Sequence, residues 1–235
     1  FLEMGLGKSK ILLDNAGMLF EEGKISGLLI VSPKGNLNNW DSNEISKHLP
    51  ERIKRNILVW QPNHTQRWNT AFKNMVQNDS TGVLNIFLVN VEAFATVKAC
   101  THVEEFLVTH DAMMAIDEST TIKNPKAKRT KHLIKLGPLA DYRRILTGFP
   151  ITKAPLDLYS QCYFLSPNLL GFSSFYAFQA RYAITQSRQM GRHSFQQVMG
   201  FQKLDELQES IKDFSIRRRK EECLDLPPKV YTRRI

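Results

Sequence analysis

Two short stretches of the chain hold residue types that could bind and hydrolyse a phosphoanhydride. The first is Gly5-Leu6-Gly7-Lys8-Ser9, standing directly before an apolar helical run from Ile11 to Phe20. Glycines let backbone N–H groups turn inward onto phosphate oxygens, a lysine can reach the β- and γ-oxygens, and a serine hydroxyl can ligate Mg²⁺. A helix N-terminus behind the loop adds partial positive charge. Leu2 stands where the strict phosphate-loop pattern has its first glycine. The competing assignment is a glycine turn that caps a helix, with Lys8 in solvent. The second stretch is Asp117-Glu118, reached straight from the apolar run AMMAI (112–116). An Asp at the C-terminal edge of a buried parallel strand can hold the water shell of Mg²⁺, and an adjacent Glu can take a proton from an attacking water. An acidic strand-ending turn would look the same in isolation. A carboxylate pair about 110 residues after the glycine loop favours a site for ATP and Mg²⁺ over two unrelated turns.

The elements that must position these residues are legible as short apolar runs. LLIV (28–31), NILVW (56–60), VLNIFLV (83–89), AMMAI (112–116) and RILT (144–147) are each followed by a longer segment of helical period. Continuous apolar runs suit strands buried on both faces, so the pattern predicts an α/β fold, a mainly parallel sheet flanked by helices. One of the flanking helices is expected over 36–48, with Trp40 packed in the core. The alternation stops near residue 152. Helices are expected around 155–165, 173–184 and 203–214, and the polar stretch 186–200 reads as a loop or hairpin, with 194–202 either a DNA-facing insertion or a spacer. Leu226-Pro227-Pro228-Lys229 breaks the helical pattern. The expected organisation is a core over 1–152, a helical extension of the same lobe over 153–225, and an exit linker over 226–235.

Composition narrows the class. The 235 residues are 42% apolar and 23% charged, ordinary values for a chain that folds around a core. No apolar run approaches a membrane span and no signal peptide opens the chain, which points to the cytoplasm, nucleoid or nucleus and away from secretion or a membrane. Cys100, Cys162 and Cys223 are too scattered for a zinc site or a disulfide framework, as are the six histidines. The net charge is +9, and no acid occurs from Ser119 to Ala140, where Lys123, Lys126, Lys128, Arg129, Lys131 and Lys135 crowd together. A second basic cluster covers 217–220. Such clusters suit a polyanion partner, nucleic acid first, and equally a solvated helix face. The base-reading Asn-Lys-x-Asp of GTPases and the Leu-Ser-Gly-Gly of transporter ATPases are both absent; small-molecule kinases stay open.

At this point further segments align with a known family. LIVSPKGNLNNW (29–40) resembles motif Ia of Swi/Snf-type DNA translocases, within superfamily-two helicases. IDESTTIKN (116–124) resembles their motif II, and LTGFPI (146–151), followed by DLY (157–159) and FLSP (164–167), resembles motif III. KLDEL (203–207), Ile216-Arg217-Arg218, Lys220 and LPPK (226–229) resemble the end of the first lobe. The matches run in order over essentially the whole chain.

The resemblance implies a RecA-like first lobe that binds ATP and Mg²⁺ and drives movement along DNA. It places Gly5, Leu6, Gly7, Lys8 and Ser9 on the nucleotide, Ser9 and Asp117 on Mg²⁺, and Glu118 and Lys8 in catalysis. Thr147 and Gly148 would couple nucleotide state to DNA grip. Ser32, Pro33 and Lys34, with Asn90, Lys123 and Lys126, would contact the backbone of double-stranded DNA. Phe149 departs from the family's usual Thr and puts a ring beside the nucleotide cleft. Two further parts of such a motor, a second RecA-like lobe bearing arginine fingers and an upstream adenine-reading glutamine motif, are not found in this sequence. A strand-separating helicase or restriction-type motor, and a non-catalytic nucleic-acid-binding lobe, are the alternatives.

Overall fold

All five apolar runs become strands of one sheet. In the computed structural model, which describes residues 1–77, 82–190 and 193–225, these are β1 (Gly27–Ser32), β2 (Arg55–Val59), β3 (Leu84–Asn90), β4 (Ala112–Asp117) and β5 (Tyr142–Leu146). They lie in the order β2-β3-β1-β4-β5, and every neighbouring pair is parallel. The three central strands are buried almost throughout, while β2 and β5 at the edges are half-buried. Their uninterrupted hydrophobicity follows, because both faces of a parallel sheet are covered by crossover helices.

Successive side chains alternate between the two faces. Leu29, Val31, Phe87, Val89, Met114 and Ile116 pack against α4 (Gln66–Gln77), α5 (Val97–Thr109) and α6 (Lys128–Leu136) through Trp68, Phe72, Phe106 and Leu133. Leu28, Ile30, Ile86, Leu88, Met113 and Ala115 pack against Leu12, Leu13 and Leu19 of α1 (Lys8–Glu21). Trp40 and Ile45 complete that second cluster. They belong to α2 (Lys34–Asn39), which runs through a π turn (Trp40–Glu44) into α3 (Ile45–His48). The helix expected over 36–48 is therefore present, opened by Pro33 with φ −54°.

Beyond β5 the chain forms α7 (Leu158–Leu165), α8 (Phe175–Tyr182), α9 (Leu204–Ser210) and α10 (Lys220–Cys223). The polar stretch is a hairpin of β6 (Ala183–Met190) and β7 (His193–Phe201), antiparallel and with both strands largely in solvent. It takes over from α8 at Ala183, two residues earlier than the helical period suggests. This extension has its own apolar cluster of Leu158, Tyr159, Cys162, Phe178, Tyr182 and Leu207. Leu2 joins the parts: its N–H donates to the Thr147 carbonyl at 3.1 Å, and it forms a parallel bridge to Arg218. The expected exit linker over 226–235 lies outside the described residues. No helix among the described residues is long and apolar enough to cross a membrane.

Candidate nucleotide-binding site

The parallel register brings the carboxyl ends of the strands to one rim. Ser32 ending β1 lies opposite Asn90 ending β3, and Asp117 ending β4 lies opposite Leu146 ending β5. The strand order reverses between β1 and β4, and open α/β sheets place ligands at such a switch point.

The glycine loop feeds this rim. Gly5 and Gly7 have φ of +82° and +78°, the left-handed region that side-chain-bearing residues adopt at a cost. Gly7 is the N-cap of the 14-residue α1, and no side chain caps that helix, so its first N–H groups face outward from the loop. The Lys8 Nζ donates to the Leu2 carbonyl at 3.1 Å. Lys8 and Ser9 are partly exposed. A cationic side chain, a hydroxyl and free N–H groups at a helix start form a donor set that fits a polyphosphate.

Asp117 is only 7% exposed, and its carboxylate is held from two sides. Its Oδ2 accepts from the Ser32 hydroxyl at 3.1 Å and from the Trp40 indole Nε1 at 3.0 Å, while Oδ1 accepts from the Glu118 N–H at 3.0 Å. Glu118 itself has φ +48° and ψ +59°, one of two non-glycine residues with positive φ among those described. Its Oε2 accepts from the Thr147 hydroxyl at 3.3 Å, and the same hydroxyl accepts from the Phe149 N–H at 3.3 Å. Gly148 packs against the start of the glycine loop, where an added Cβ would lie 3.4 Å from the Leu2 carbonyl oxygen. Hydrogen bonds thus link Lys8 to Leu2, Leu2 to Thr147 and Thr147 to Glu118 in turn, through different groups of Leu2 and Thr147.

These groups fit Mg²⁺ with a nucleotide better than a self-contained metal centre. Among the described residues no three His, Cys, Asp or Glu side chains gather to hold an ion. Mg²⁺ characteristically takes one or two protein ligands and completes its shell with phosphate oxygens and water. Ser9 and Asp117 are the residues chemically suited to that role.

The expected DNA-facing residues divide. Ser32 is fully buried and spends its hydroxyl on Asp117, so it does not reach the surface; its place at the end of a central strand turns it inward. Pro33 is partly exposed and Lys34 exposed. Asn90 and the Lys34 N–H both donate to Glu92 Oε2, at 3.2 and 3.3 Å, which puts an acid within this stretch. Lys123 is engaged within the chain by Thr152 and by Asp157, the latter at 3.5 Å. Neither Lys123 nor Lys126 is helical, because α6 begins only at Lys128 and Pro125 breaks the preceding turn. Lys126 is exposed, its ammonium 5.9 Å from the centroid of the Tyr176 ring.

Trp40 was expected only to pack; its indole N–H on Asp117 is a second role that no apolar pattern announces. Phe149 is 61% exposed, and its ring lines a cleft of about 430 Å³ with Ile151, Leu204 and Leu207. Gln161, fully buried on α7, links Ser119 to the Pro150 carbonyl and gave no sequence signal.

A helix-capping glycine loop beside the end of β5 and a carboxylate pair ending the adjacent β4, on one rim of a parallel sheet, define a P-loop nucleotide-binding fold. Comparison with known proteins makes this specific. The profile of the SNF2-related domain matches residues 1–234. The DNA annealing helicase and endonuclease ZRANB3 of Bos taurus is 32% identical over 232 residues, which cover 98% of this chain and 20% of that protein. The human TATA-binding protein-associated factor 172 is 41% identical over 118 residues, 49% of this chain and 6% of that protein. Among solved structures, the Sulfolobus solfataricus SWI2/SNF2 ATPase core in complex with dsDNA superposes with a TM-score of 0.64 at 25% identity. That match covers 93% of this chain and 40% of that one. The chain belongs to the SNF2-related domain family and has the RecA-like fold of its ATPase core. It spans about a fifth of the ZRANB3 relatives it matches.

Proposed function

We propose that this chain is the ATP-binding lobe of a DNA-dependent ATPase that couples hydrolysis to movement along duplex DNA. The observation that carries this reading is the hydrogen-bonded path from Lys8 through Leu2 and Thr147 to Glu118, which ties a phosphate-binding loop to a carboxylate at the switch point of the sheet. Lys8 and the N–H groups of Gly5, Leu6 and Gly7 bind the phosphates, and Ser9 and Asp117 hold Mg²⁺, whose charge offsets that of the β- and γ-oxygens. Glu118 accepts the proton of the attacking water, with the Thr147 hydroxyl fixing its carboxylate. Ser32 and Trp40 fix the orientation of the Asp117 carboxylate by both donating to its Oδ2. Residues 1–152 serve as the nucleotide-binding core and 153–225 as an extension of the same lobe.

On this reading Lys34 and Lys126 meet the phosphodiester backbone, which suits a motor that must act irrespective of sequence. A second RecA-like lobe supplies the remaining catalytic groups, and the protein works where its DNA is, in nucleoid, nucleus or cytoplasm. The relatives' names and the DNA-bound structural neighbour support this assignment.

The test is Glu118→Gln in the full-length polypeptide. DNA-stimulated ATP hydrolysis should fall at least about 100-fold, the scale of a lost general base, with nucleotide binding retained. Hydrolysis at the unsubstituted rate would refute the assignment of the base. A strand-displacement assay on forked DNA separates a translocase from an unwinding helicase.

A further inference from the structure

Gln161 is completely buried, and all of its amide is used. Its Oε1 accepts from the Ser119 hydroxyl at 2.7 Å, and its Nε2 donates to the Pro150 and Asp157 carbonyls, each at 2.8 Å. The Asp157 bond stays within its own helical turn. The other two run to separate parts of the candidate site. Ser119, itself fully buried, directly follows Glu118, and Pro150 belongs to the loop that begins with Thr147 and Gly148.

Two physical points give this arrangement meaning. A primary amide buried without partners is costly, and on α7 it sits among buried Leu158, Tyr159, Cys162 and Phe164, beside a buried Ser160 whose hydroxyl donates to the Lys123 carbonyl at 3.3 Å. The amide at this position is therefore held for its bonds rather than its volume. Second, Glu118 occupies a left-handed backbone conformation that a side-chain-bearing residue keeps only when its surroundings over-determine it. The Ser119–Gln161 bond, the Thr121 N–H on the Glu118 carbonyl at 3.0 Å, and the Asp117 carboxylate on the Glu118 N–H are what fix that turn. Gln161 also reaches the Thr147–Ile151 loop, and so adds a buried link at Pro150 to the direct bond from the Thr147 hydroxyl to Glu118 Oε2.

We propose that Gln161 is a positioning residue for hydrolysis: its single buried amide clasps the Glu118 turn to the Thr147–Ile151 loop, so that displacement of either is transmitted to the other. The proposal rests on Glu118 being the base. Fully buried, Gln161 acts through Ser119 and the Pro150 carbonyl.

The experiment is a cycle in the full-length polypeptide, comparing Gln161→Leu, Ser119→Ala and the double substitution by DNA-stimulated ATPase kinetics, with Glu118→Gln alongside. Gln161→Leu should lower kcat about ten-fold and leave KM for ATP within about two-fold, because ground-state contacts to nucleotide are untouched. Ser119→Ala should lower kcat in the same sense, and the double variant should be no slower than Gln161→Leu alone, since both remove one link. Wild-type kcat in Gln161→Leu, a loss confined to KM, or effects that multiply in the double variant would overturn the proposal. If Gln161→Leu does not fold, Ser119→Ala decides: unchanged kcat rejects the clasp, and reduced kcat at constant KM supports it. A fully active Gln161→Leu beside an inactive Glu118→Gln rejects the clasp alone; an active Glu118→Gln rejects the reading of the base on which it rests.

Discussion

Asp117 shows how far a single residue's role depends on its neighbours. As a carboxylate ending a buried strand it would be costly to hold in an arbitrary orientation, and here three donors surround it: Ser32, Trp40 and the Glu118 N–H. Hydrogen bonds to a charged group are the stronger kind, and losing one leaves part of the charge unsolvated. Trp40→Phe keeps the ring in the core and removes only the indole N–H. We expect it to lower unfolding stability by about 1–3 kcal/mol, read by urea denaturation. The same variant should need more Mg²⁺ for half-maximal ATPase, because the Asp117 carboxylate is then free to rotate. An unchanged Mg²⁺ requirement would separate the Trp40 contact from metal binding. The acidic pair and the glycine loop were readable as chemistry because their types and order are distinctive. Ser32, by contrast, is a DNA contact by the resemblance to motif Ia, whereas its burial and its bond to Asp117 turn it inward.

At the scale of elements, the strands were legible and the irregular segments were not. Five apolar runs bounded by polar residues leave little freedom, since a strand covered on both faces must be apolar at every position. Whether 186–200 is a loop or a hairpin depended on cross-strand pairing that a polar sequence does not announce. The lysines after motif II behave likewise. The basic run from Lys123 could equally be one solvated helix face, but Pro125 delays the helix to Lys128, and Asp157 with Thr152 takes up Lys123. Of the lysines expected on DNA, Lys34 and Lys126 are thus exposed, whereas Lys123 is engaged within the chain. If each meets a DNA phosphate, Lys34→Ala and Lys126→Ala should weaken duplex binding equally for unrelated sequences. Each should also reduce the slope of log affinity against log salt by about 1, measured by fluorescence anisotropy across a salt series. A sequence-dependent loss, or an unchanged slope, would place these lysines away from the backbone.

For the molecule as a whole, two partly buried histidines, His64 and His110, set an acid limit on stability. Burial lowers the pKa of His64, aided by the nearby Lys98 and His102. Its ring stacks on Trp68 at 3.7 Å between centroids, and its buried Nε2 has no hydrogen-bond partner among the described residues. Burial likewise lowers the pKa of His110, although the Phe106 carbonyl opposes the shift. The His110 Nε2 lies 3.1 Å from the Asn85 side-chain amide. Since the fold favours both rings neutral, the unfolded chain binds more protons once pH falls below its ordinary histidine value, about 6.5. Their contribution is therefore intact above that value and is lost progressively as pH falls from there toward the lowered pKa of the folded state. Thermal unfolding should move to lower temperature between pH 7.5 and 5.5, and His64→Phe should flatten that dependence. A midpoint independent of pH over this window would show that neither ring is kept neutral by the fold.

The sequence by itself determined the sheet, the phosphate loop and the carboxylate pair, because each rests on local residue type or on a period that a few positions reveal. It also carried the family resemblance, which the match over residues 1–234 supports. Only the tertiary structure decided how those parts are held. The Trp40 and Ser32 bonds to Asp117 span 77 and 85 residues, and the Gln161 bond to Ser119 spans 42. Contacts over such separations leave no local pattern: a tryptophan in an apolar stripe and a glutamine in an apolar helix look alike until the packed chain brings a partner within hydrogen-bonding distance.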